Sequence, residues 1–186
     1  MSGYLDIHEY PRAEAIAGLL VTNWQRIARD AARMREVGLF DPWHEPLHGG
    51  GWLTAGLKWQ GAMLPDWERH FAGALAAVCP AIVNCGYSLL LPGTEIVPHE
   101  GYTSDVVRMN IGLRVPDGDC ALVVGGEARR WYAGGYLFFD DTIEHSAHNR
   151  ADGERMVLLL DLDRAAITAP VTTSEPGSAI PAASPR

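Results

Sequence analysis

Residues 87–162 contain a series of short apolar or alternating segments separated by turn sequences. The segments lie at residues 87–91, 95–97, 106–115, 121–124, 136–139 and 156–162. The sequences between them are rich in glycine and proline, as in Pro92-Gly93 and Gly125-Gly126. Short, regularly spaced strands with such turn signals predict an antiparallel sandwich or barrel.

Two helical segments are predicted before the strands. In residues 12–37 apolar side chains recur at roughly helical spacing, and Gly38 follows as a helix stop. Residues 64–78 are also predicted as a helix, which ends before Pro80 because proline disfavours continuation. His70, inside this second helix, is interpreted as a surface or boundary residue. Helices followed by strands predict an α+β fold in which the helices buttress a β core.

The helical pattern breaks in residues 40–58, and residues 41–52 are rich in Gly, Pro and aromatic residues. This composition predicts a loop and is too irregular for a strand. Loops of this kind often cover a pocket, and Trp43–Trp52 is the natural lid. His44 and His48 are four residues apart, but Pro46 argues against the helix that would align them on a metal. Substrate contact or surface exposure is the favoured interpretation of both histidines.

Charge, cysteine content and hydropathy exclude several classes of protein. The chain carries a formal net charge of −8 and no run of Lys and Arg, so we expect no nucleic-acid partner. Its three cysteines form no C-x-x-C pair, which indicates reduced thiols in a cytoplasmic protein. No apolar stretch is long enough for an export signal or a membrane span, so no membrane partner is expected.

The length of the chain, 186 residues, predicts one domain over residues 1–167. Residues 168–186 are mainly Ala, Pro, Ser and Thr. Such a segment has too little apolar surface to offset the entropy of ordering, so a flexible tail is predicted. The sequence does not predict an oligomeric state.

Two histidines and an arginine are the residues that point to chemistry. His99 and His145 lie at the ends of separate predicted β segments, and Arg155 follows on the next one. Neutral imidazoles bind Fe(II), Zn or Cu, and the usual non-haem iron triad adds a carboxylate. The position two residues after the first histidine is Gly101, and the adjacent Glu100 projects from the opposite face of a strand. Spacing alone leaves two interpretations, a two-histidine metal site or polar residues in a barrel wall.

Six short motifs follow one another in a fixed order around these residues. They are Pro92-Gly93, Pro98-His99-Glu100-Gly101, Arg108-Met109-Asn110-Ile111-Gly112-Leu113, Trp131-Tyr132-Ala133-Gly134, Phe139-Asp140-Asp141-Thr142-Ile143-Glu144-His145 and Arg155. In their order and spacing, residues 88–163 resemble the aspartyl/asparaginyl β-hydroxylase family of Fe(II)- and 2-oxoglutarate-dependent oxygenases.

The resemblance implies a double-stranded β-helix, the jelly-roll or cupin-like fold, with iron held by His99 and His145. This family characteristically lacks the triad carboxylate, which accounts for Gly101. Arg155 would pair with the C5 carboxylate of 2-oxoglutarate, since a guanidinium fork suits a carboxylate. His99, His145 and Arg155 are therefore the expected catalytic residues.

Further residues align with positions near the cosubstrate. Ser88 matches the family's hydroxyl that contacts the same carboxylate, and Arg108 matches a basic residue nearby. Asn110 stands where many members have a histidine that can contact 2-oxoglutarate. Asp140 and Asp141 have two interpretations, orientation of His145 or bound water, and turn formation.

The implied activity requires Fe(II), 2-oxoglutarate and O2, and hydroxylates an unactivated carbon. The family default is the β-carbon of an aspartyl- or asparaginyl-like residue, here in a small-molecule, carrier-bound or peptide substrate. Members that act on epidermal growth factor-like domains have an arginine at the position of Val106, so a disulfide-rich domain is not expected as substrate. Two alternatives stay open: a halogenase, because an absent carboxylate can admit chloride to iron, and a non-enzymatic β-barrel binding module.

Overall fold

The computed structural model describes residues 2–169, and four α-helices occur in this part of the chain. They are α1 (Pro11–Thr22), α2 (Trp24–Glu36), α3 (Phe71–Val78) and α4 (Arg164–Thr168). The first predicted helix is divided at Asn23, whose side-chain amide donates to the carbonyl of Leu19. The second begins later than predicted, because Asp66 adopts a left-handed backbone with φ 63° ahead of a single 3-10 turn. The predicted tail lies outside the described residues from residue 170 onward.

Eleven strands follow in the described residues. They are β1 (Asp41–Pro42), β2 (Trp52–Trp59), β3 (Ala62–Met63), β4 (Ile82–Leu90), β5 (Thr94–His99), β6 (Val106–Arg114), β7 (Cys120–Val124), β8 (Glu127–Arg130), β9 (Tyr136–Phe139), β10 (His145–Asn149) and β11 (Arg155–Asp163).

The strands form two antiparallel sheets with jelly-roll connections. The larger sheet has the order β1-β2-β4-β11-β6-β9, with β3 attached to β2, and the smaller has the order β5-β10-β7-β8. The last strand, β11, lies between β4 and β6, so strands far apart in sequence form the centre of the larger sheet. This arrangement confirms the predicted α+β class and the jelly-roll core.

Each face of the larger sheet packs against a different core, as the period of two along a strand requires. On the outer face Met109 and Leu158 lie in one cluster with Leu20 and Ile27 of the helices. The inner-face cluster joins the two sheets, and Val157 is one of its members. The helices therefore cover the outside of the sheet and leave the space between the sheets for a site.

The loop was predicted for residues 41–52, and no strand was predicted after it or at its two-residue start, β1. Residues 52–59 form β2, which pairs with β4 and buries Leu57 completely. Gly56 weakens the local strand signal, and pairing with a long neighbouring strand outweighs it. Strands β8 and β10 were missed as well, because both are short and largely polar.

His70 is buried, with 8% of its surface exposed, so its interpretation as a surface or boundary residue was wrong. Its Nδ1 lies 3.4 Å from the hydroxyl of Tyr87. Burial lowers the pKa of His70 below its ordinary value of 6.5, because the charged imidazolium loses hydration. No helix in residues 2–169 has the length and apolar character needed to span a membrane.

Candidate metal centre and anion pocket

The two histidines face each other at the open end of the smaller sheet. His99 is the last residue of β5, His145 is the first of β10, and the antiparallel register pairs them directly. Their ring centroids are 4.2 Å apart. The Nδ1 atom of His99 lies 2.9 Å from the carbonyl of Val97, and that of His145 lies 2.9 Å from the carbonyl of Ile143. A carbonyl only accepts, so each Nδ1 carries the proton and each Nε2 keeps its lone pair for a metal.

Burial prepares His145 for metal binding. Its ring is 5% exposed, and desolvation lowers the pKa of His145 from 6.5 to about 4. The imidazole is therefore neutral at pH 7, the form that binds metals. No group of three or more His, Cys, Asp or Glu side chains suited to a metal occurs in residues 2–169. His99 and His145 are the candidate ligands for a metal at this position.

The side chain of Asp141 fills the space beside Gly101. A β-carbon added to Gly101 would overlap Oδ2 of Asp141. The carboxylate is fully buried, and its Oδ1 lies 3.4 Å from Nε2 of His145 and 2.7 Å from Nη1 of Arg108. Neither oxygen accepts a directed hydrogen bond from the described residues, and desolvation raises the pKa of Asp141. Gly101 stands where the usual triad has a carboxylate, and the space beside it is occupied by the carboxylate of Asp141, from the connection between β9 and β10.

Asp140 has a different role from its neighbour. Its Oδ1 accepts hydrogen bonds from the backbone N–H and hydroxyl of Thr142, at 3.0 and 2.8 Å. The same oxygen lies 2.8 Å from Nη2 of Arg164. These contacts hold the turn that leads into His145, whereas only Asp141 reaches the histidine rings.

Arg108 lines the cavity beside the histidines, but two carboxylates already balance its charge. Its Nε lies 2.7 Å from Asp161 Oδ1, and its Nη1 lies 2.7 Å from Asp141 Oδ1. These carboxylates raise the pKa of Arg108 above its usual value. The predicted proximity to the cosubstrate position is compatible with this geometry, although the guanidinium has no uncompensated charge to offer.

Arg155 has the opposite character, because it is a buried cation without a carboxylate partner among the described residues. It is 2% exposed, and burial lowers the pKa of Arg155 from 12.5 to about 10. Its Nη1 lies 3.3 Å from the carbonyl and 3.4 Å from the hydroxyl of Ser88. The Trp131 ring lies 4.6 Å from its Cζ, while its Nε has no partner. A buried, unpaired charge is costly unless a ligand neutralises it, so this is an anion pocket.

Three buried N–H groups have no hydrogen-bond partner in residues 2–169: Arg155 Nε, Asn110 Nδ2 and Trp131 Nε1. Asn110 projects from the same face of β6 as Arg108. The hydroxyl oxygen of Ser88 accepts from the Trp52 indole N–H at 3.1 Å and lies 3.4 Å from Nη1 of Arg155. These groups supply the donors that a buried carboxylate needs.

A cavity of about 690 Å³ lies beside these groups. His99, Arg108, Asp141 and Ser88 contribute to its wall, and Arg155 adjoins it through Ser88. The predicted lid lies over it, and within that segment Trp43 stacks on Trp52 with ring centroids 4.9 Å apart.

His44 lines the cavity, whereas His48 stabilises the lid. Nε2 of His48 lies 3.1 Å from the carbonyl of Trp43, and its Nδ1 accepts from the backbone N–H of Gly50 at 3.0 Å. Both ring nitrogens of His48 are therefore engaged, and the pair forms no metal site.

Sequence reasoning missed Asp161 and assigned no role to Trp131. Asp161 lies six residues after Arg155 on β11, so the two side chains project from the same face of the strand. This even spacing is the sequence signal from which a role for Asp161 could have been predicted. Trp131 was noticed only as a motif residue, and its contact with Arg155 depends on the packing of a loop against the sheet interior.

Known proteins resemble this chain over most of the folded region. The sequence model described as "Aspartyl/Asparaginyl beta-hydroxylase" matches residues 21–165. Human aspartate beta-hydroxylase domain-containing protein 2 is 44% identical over 124 residues, covering 61% of this chain and 33% of that protein. Human aspartyl/asparaginyl beta-hydroxylase is 30% identical over 155 residues, covering 77% of this chain and 20% of that protein.

The chain therefore spans a third or less of the length of these two relatives. Among solved structures, a protein from Thermotoga maritima described as a predicted oxalate decarboxylase aligns with a TM-score of 0.47 at 14% identity. That alignment covers 67% of this chain and 91% of the other. The assignment of the family rests on the sequence match, which includes the motifs around both histidines and Arg155. The chain belongs to the aspartyl/asparaginyl β-hydroxylase family.

Proposed function

We propose that the protein is an Fe(II)- and 2-oxoglutarate-dependent dioxygenase that hydroxylates an aspartyl- or asparaginyl-like residue. The substrate residue would belong to a small metabolite, a carrier-bound amino acid or a peptide. The observation that carries the proposal is the buried guanidinium of Arg155, which has no carboxylate partner among the described residues, together with two facing histidines whose Nδ1 atoms are held by carbonyls. A metal site in the cavity wall and an anion pocket that adjoins the cavity through Ser88 match a cosubstrate that chelates a metal and ends in a carboxylate.

The residues present fit the implied groups. His99 and His145 would hold the iron through Nε2, because the carbonyls of Val97 and Ile143 fix the opposite tautomer. With its cosubstrate and O2, the bound iron supplies oxidation of an unactivated carbon–hydrogen bond, while 2-oxoglutarate is converted to succinate and CO2.

The chain's own residues bind and orient in this scheme. Arg155 and Ser88 would take the distal carboxylate of 2-oxoglutarate in a charge-assisted pair, which offsets the desolvation of the guanidinium. Asn110 adds a buried N–H donor that has no other partner. The lid with Trp43 would exclude water from the cavity during the reaction.

Halogenation is the less favoured activity of this site. A halogenase places chloride where the triad carboxylate is missing, and here that space beside Gly101 faces the carboxylate of Asp141. A second anion at this position would meet like charge at close range. Turnover with and without chloride, with the product weighed by mass spectrometry, distinguishes hydroxylation from halogenation.

The test of the proposal is succinate formation from 2-oxoglutarate by anaerobically reconstituted protein exposed to O2 with a substrate panel. We expect His99→Ala and His145→Ala to abolish it. His8→Ala is the matched control, because the His8 ring is exposed at the surface, where it pairs with Glu14. Full activity in either cavity variant would refute the ligand assignment. A complete lack of 2-oxoglutarate conversion across the panel would favour the non-enzymatic binding module.

A further inference from the structure

Tyr102 brings a hydroxyl to the wall of the main cavity. It lies close after His99, in the connection that joins β5 to β6, and it contributes to the cavity lining. The residue is 59% exposed, so it stands at the mouth of the cavity, where an incoming substrate can reach it. Neither the metal centre nor the anion pocket uses this hydroxyl.

Asn84 fixes the direction in which the Tyr102 hydroxyl can donate. The backbone N–H of Gln60 donates to Oδ1 of Asn84 at 2.7 Å, which sets the orientation of this buried amide. Its Nδ2 then donates to Oδ2 of Asp161 at 2.8 Å and to the hydroxyl oxygen of Tyr102 at 3.0 Å. An amide nitrogen does not accept hydrogen bonds, so the O–H proton of Tyr102 points away from Asn84.

The O–H of Tyr102 is available to a ligand. Within residues 2–169 it donates to no other side chain or carbonyl. Desolvation raises the pKa of Tyr102 above its ordinary value of 10, so the phenol keeps its proton at neutral pH. Tyr102 therefore presents one neutral hydrogen-bond donor to a group that enters the cavity.

A series of polar contacts joins the Tyr102 hydroxyl to the metal centre. The Asp161 carboxylate beside it lies 2.7 Å from Nε of Arg108. Nη1 of Arg108 lies 2.7 Å from Oδ1 of Asp141, which is 3.4 Å from Nε2 of His145. The hydroxyl and the histidines thus belong to one wall. In an aspartyl- or asparaginyl-like residue the side-chain oxygen is carried by the carbon next to the β-carbon, so an oxygen near the reacting carbon suits this donor.

We propose that the Tyr102 hydroxyl donates a hydrogen bond to the side-chain oxygen of the substrate residue, and that Asn84 holds the hydroxyl in position. This inference rests on the proposed function and names a residue that selects its substrate. An analogue of the same outline without that oxygen leaves the donor unpaired once the cavity is filled, which disfavours its binding.

The test combines matched peptides with a variant that lacks only the hydroxyl. The peptides are acetyl-Gly-Asn-Gly-amide and acetyl-Gly-Leu-Gly-amide, because asparagine and leucine side chains share a branched outline and differ in the oxygen. Their dissociation constants are measured by ligand-observed NMR on protein loaded with Zn(II) and N-oxalylglycine, an inert analogue of 2-oxoglutarate. Tyr102→Phe keeps the ring at an exposed position and is compatible with folding.

The hydroxyl should matter only to a peptide that carries the oxygen. We expect Tyr102→Phe to weaken binding of the asparagine peptide about three- to tenfold, as for the loss of one hydrogen bond. The corresponding aspartate peptide should lose at least as much, whereas the leucine peptide should change about twofold or less. Tyr136→Phe is the matched control, because Tyr136 is 41% exposed on β9 and does not line this cavity. It should leave all three dissociation constants unchanged.

The positioning role of Asn84 is tested by a double-mutant cycle. Asn84→Ala should weaken the asparagine peptide in the parent background and should not weaken it further in Tyr102→Phe, since it acts through that hydroxyl. A merely structural role would weaken the asparagine and leucine peptides alike, in both backgrounds.

Equal losses for the asparagine and leucine peptides in Tyr102→Phe, or no loss for either, would overturn the inference. No measurable binding of the asparagine peptide to the parent would overturn it too, because the cavity would not accept the side chain that the hydroxyl is inferred to hold. Conversion of 2-oxoglutarate to succinate is followed separately on the iron-loaded protein. No succinate formation, together with an intact difference between the peptides, would refute the proposed chemistry and support the role of Tyr102.

Discussion

Replacement of Arg155 by methionine should have opposite effects on ligand binding and on the stability of the unliganded protein. The guanidinium is 2% exposed, has no carboxylate partner among the described residues, and leaves its Nε unpartnered. Methionine is of similar length and needs no counterion. The Arg155→Met variant therefore removes the anion site and, at the same time, removes a buried charge.

The size of each effect follows from the structure. Removing one partner of a buried charge pair costs about 2–5 kcal/mol, so 2-oxoglutarate should bind about 30-fold more weakly or worse. In the unliganded protein, burial lowers the pKa of Arg155 from 12.5 to about 10. This shift means that burying the charged guanidinium makes the folded state less stable by about 3 kcal/mol. The variant loses this penalty along with the weak contacts to Ser88. We expect its unliganded melting temperature to be equal to or higher than that of the parent.

The assay is thermal unfolding with Zn(II), with and without 2-oxoglutarate. At a ligand concentration of 100 times its Kd, the parent should gain about 2.7 kcal/mol, or roughly 5–10 °C in Tm for a chain of this size. Arg155→Met, with its 30-fold weaker binding or worse, should gain about 0.9 kcal/mol or less at the same concentration. Arg150→Met is the charge control, because Arg150 pairs with Glu95 and Asp119 at the surface. A variant that melts lower than the parent without ligand, yet is stabilised equally by 2-oxoglutarate, would refute the reasoning.

Three further predictions concern stability and the metal site. Gly101→Ala should weaken Zn(II) binding and lower Tm, because the new methyl group displaces the carboxylate of Asp141, whereas Gly49→Ala has free space and should leave both unchanged. The free energy of unfolding should fall as the pH drops below 6.5, because the pKa of His70 is lower in the folded protein than in the unfolded chain, which therefore binds the proton first. In His70→Gln this fall should be less steep, as measured by urea unfolding at several pH values. Asn149→Ala should destabilise the fold by about 2–4 kcal/mol in urea unfolding, because this fully buried side chain donates two hydrogen bonds to backbone carbonyls and accepts a third. Unchanged midpoints in the Gly101 or Asn149 variants, or an unaltered pH slope in the His70 variant, would count against these assignments.

The sequence predicted the elements of this fold whose pattern is periodic. Strand β6 alternates from Val107 to Leu113, whereas β11 is a nearly continuous apolar run; in both, one face meets the helices and the other meets the barrel interior, so both faces are largely buried. Strand β2 was hidden by Gly56 and by the aromatic loop before it, and its conformation depends on pairing with β4. Such pairing is a tertiary effect that no local pattern carries.

The candidate site was predictable where a motif fixed a residue and not where a contact depended on packing. The two histidines and Arg155 were singled out by the resemblance of their motifs to the family, since spacing alone also allowed a barrel wall, and the register of β5 with β10 brings the histidines together. The compensation of Arg108 by Asp141 and Asp161 could not be predicted, because it joins three strands or connections that are remote in sequence. The proximity of Asp141 to Gly101 is of the same kind.

An anaerobic titration with Fe(II) and 2-oxoglutarate tests the central claim most directly. Chelation of iron by the cosubstrate gives a visible charge-transfer absorption, which reports both groups in one site without any substrate or O2. We expect this band in the parent protein, its loss in His99→Ala and His145→Ala, and a shift to higher 2-oxoglutarate concentration in Arg155→Met. Absence of the band in the parent, or its persistence in His145→Ala, would contradict the account.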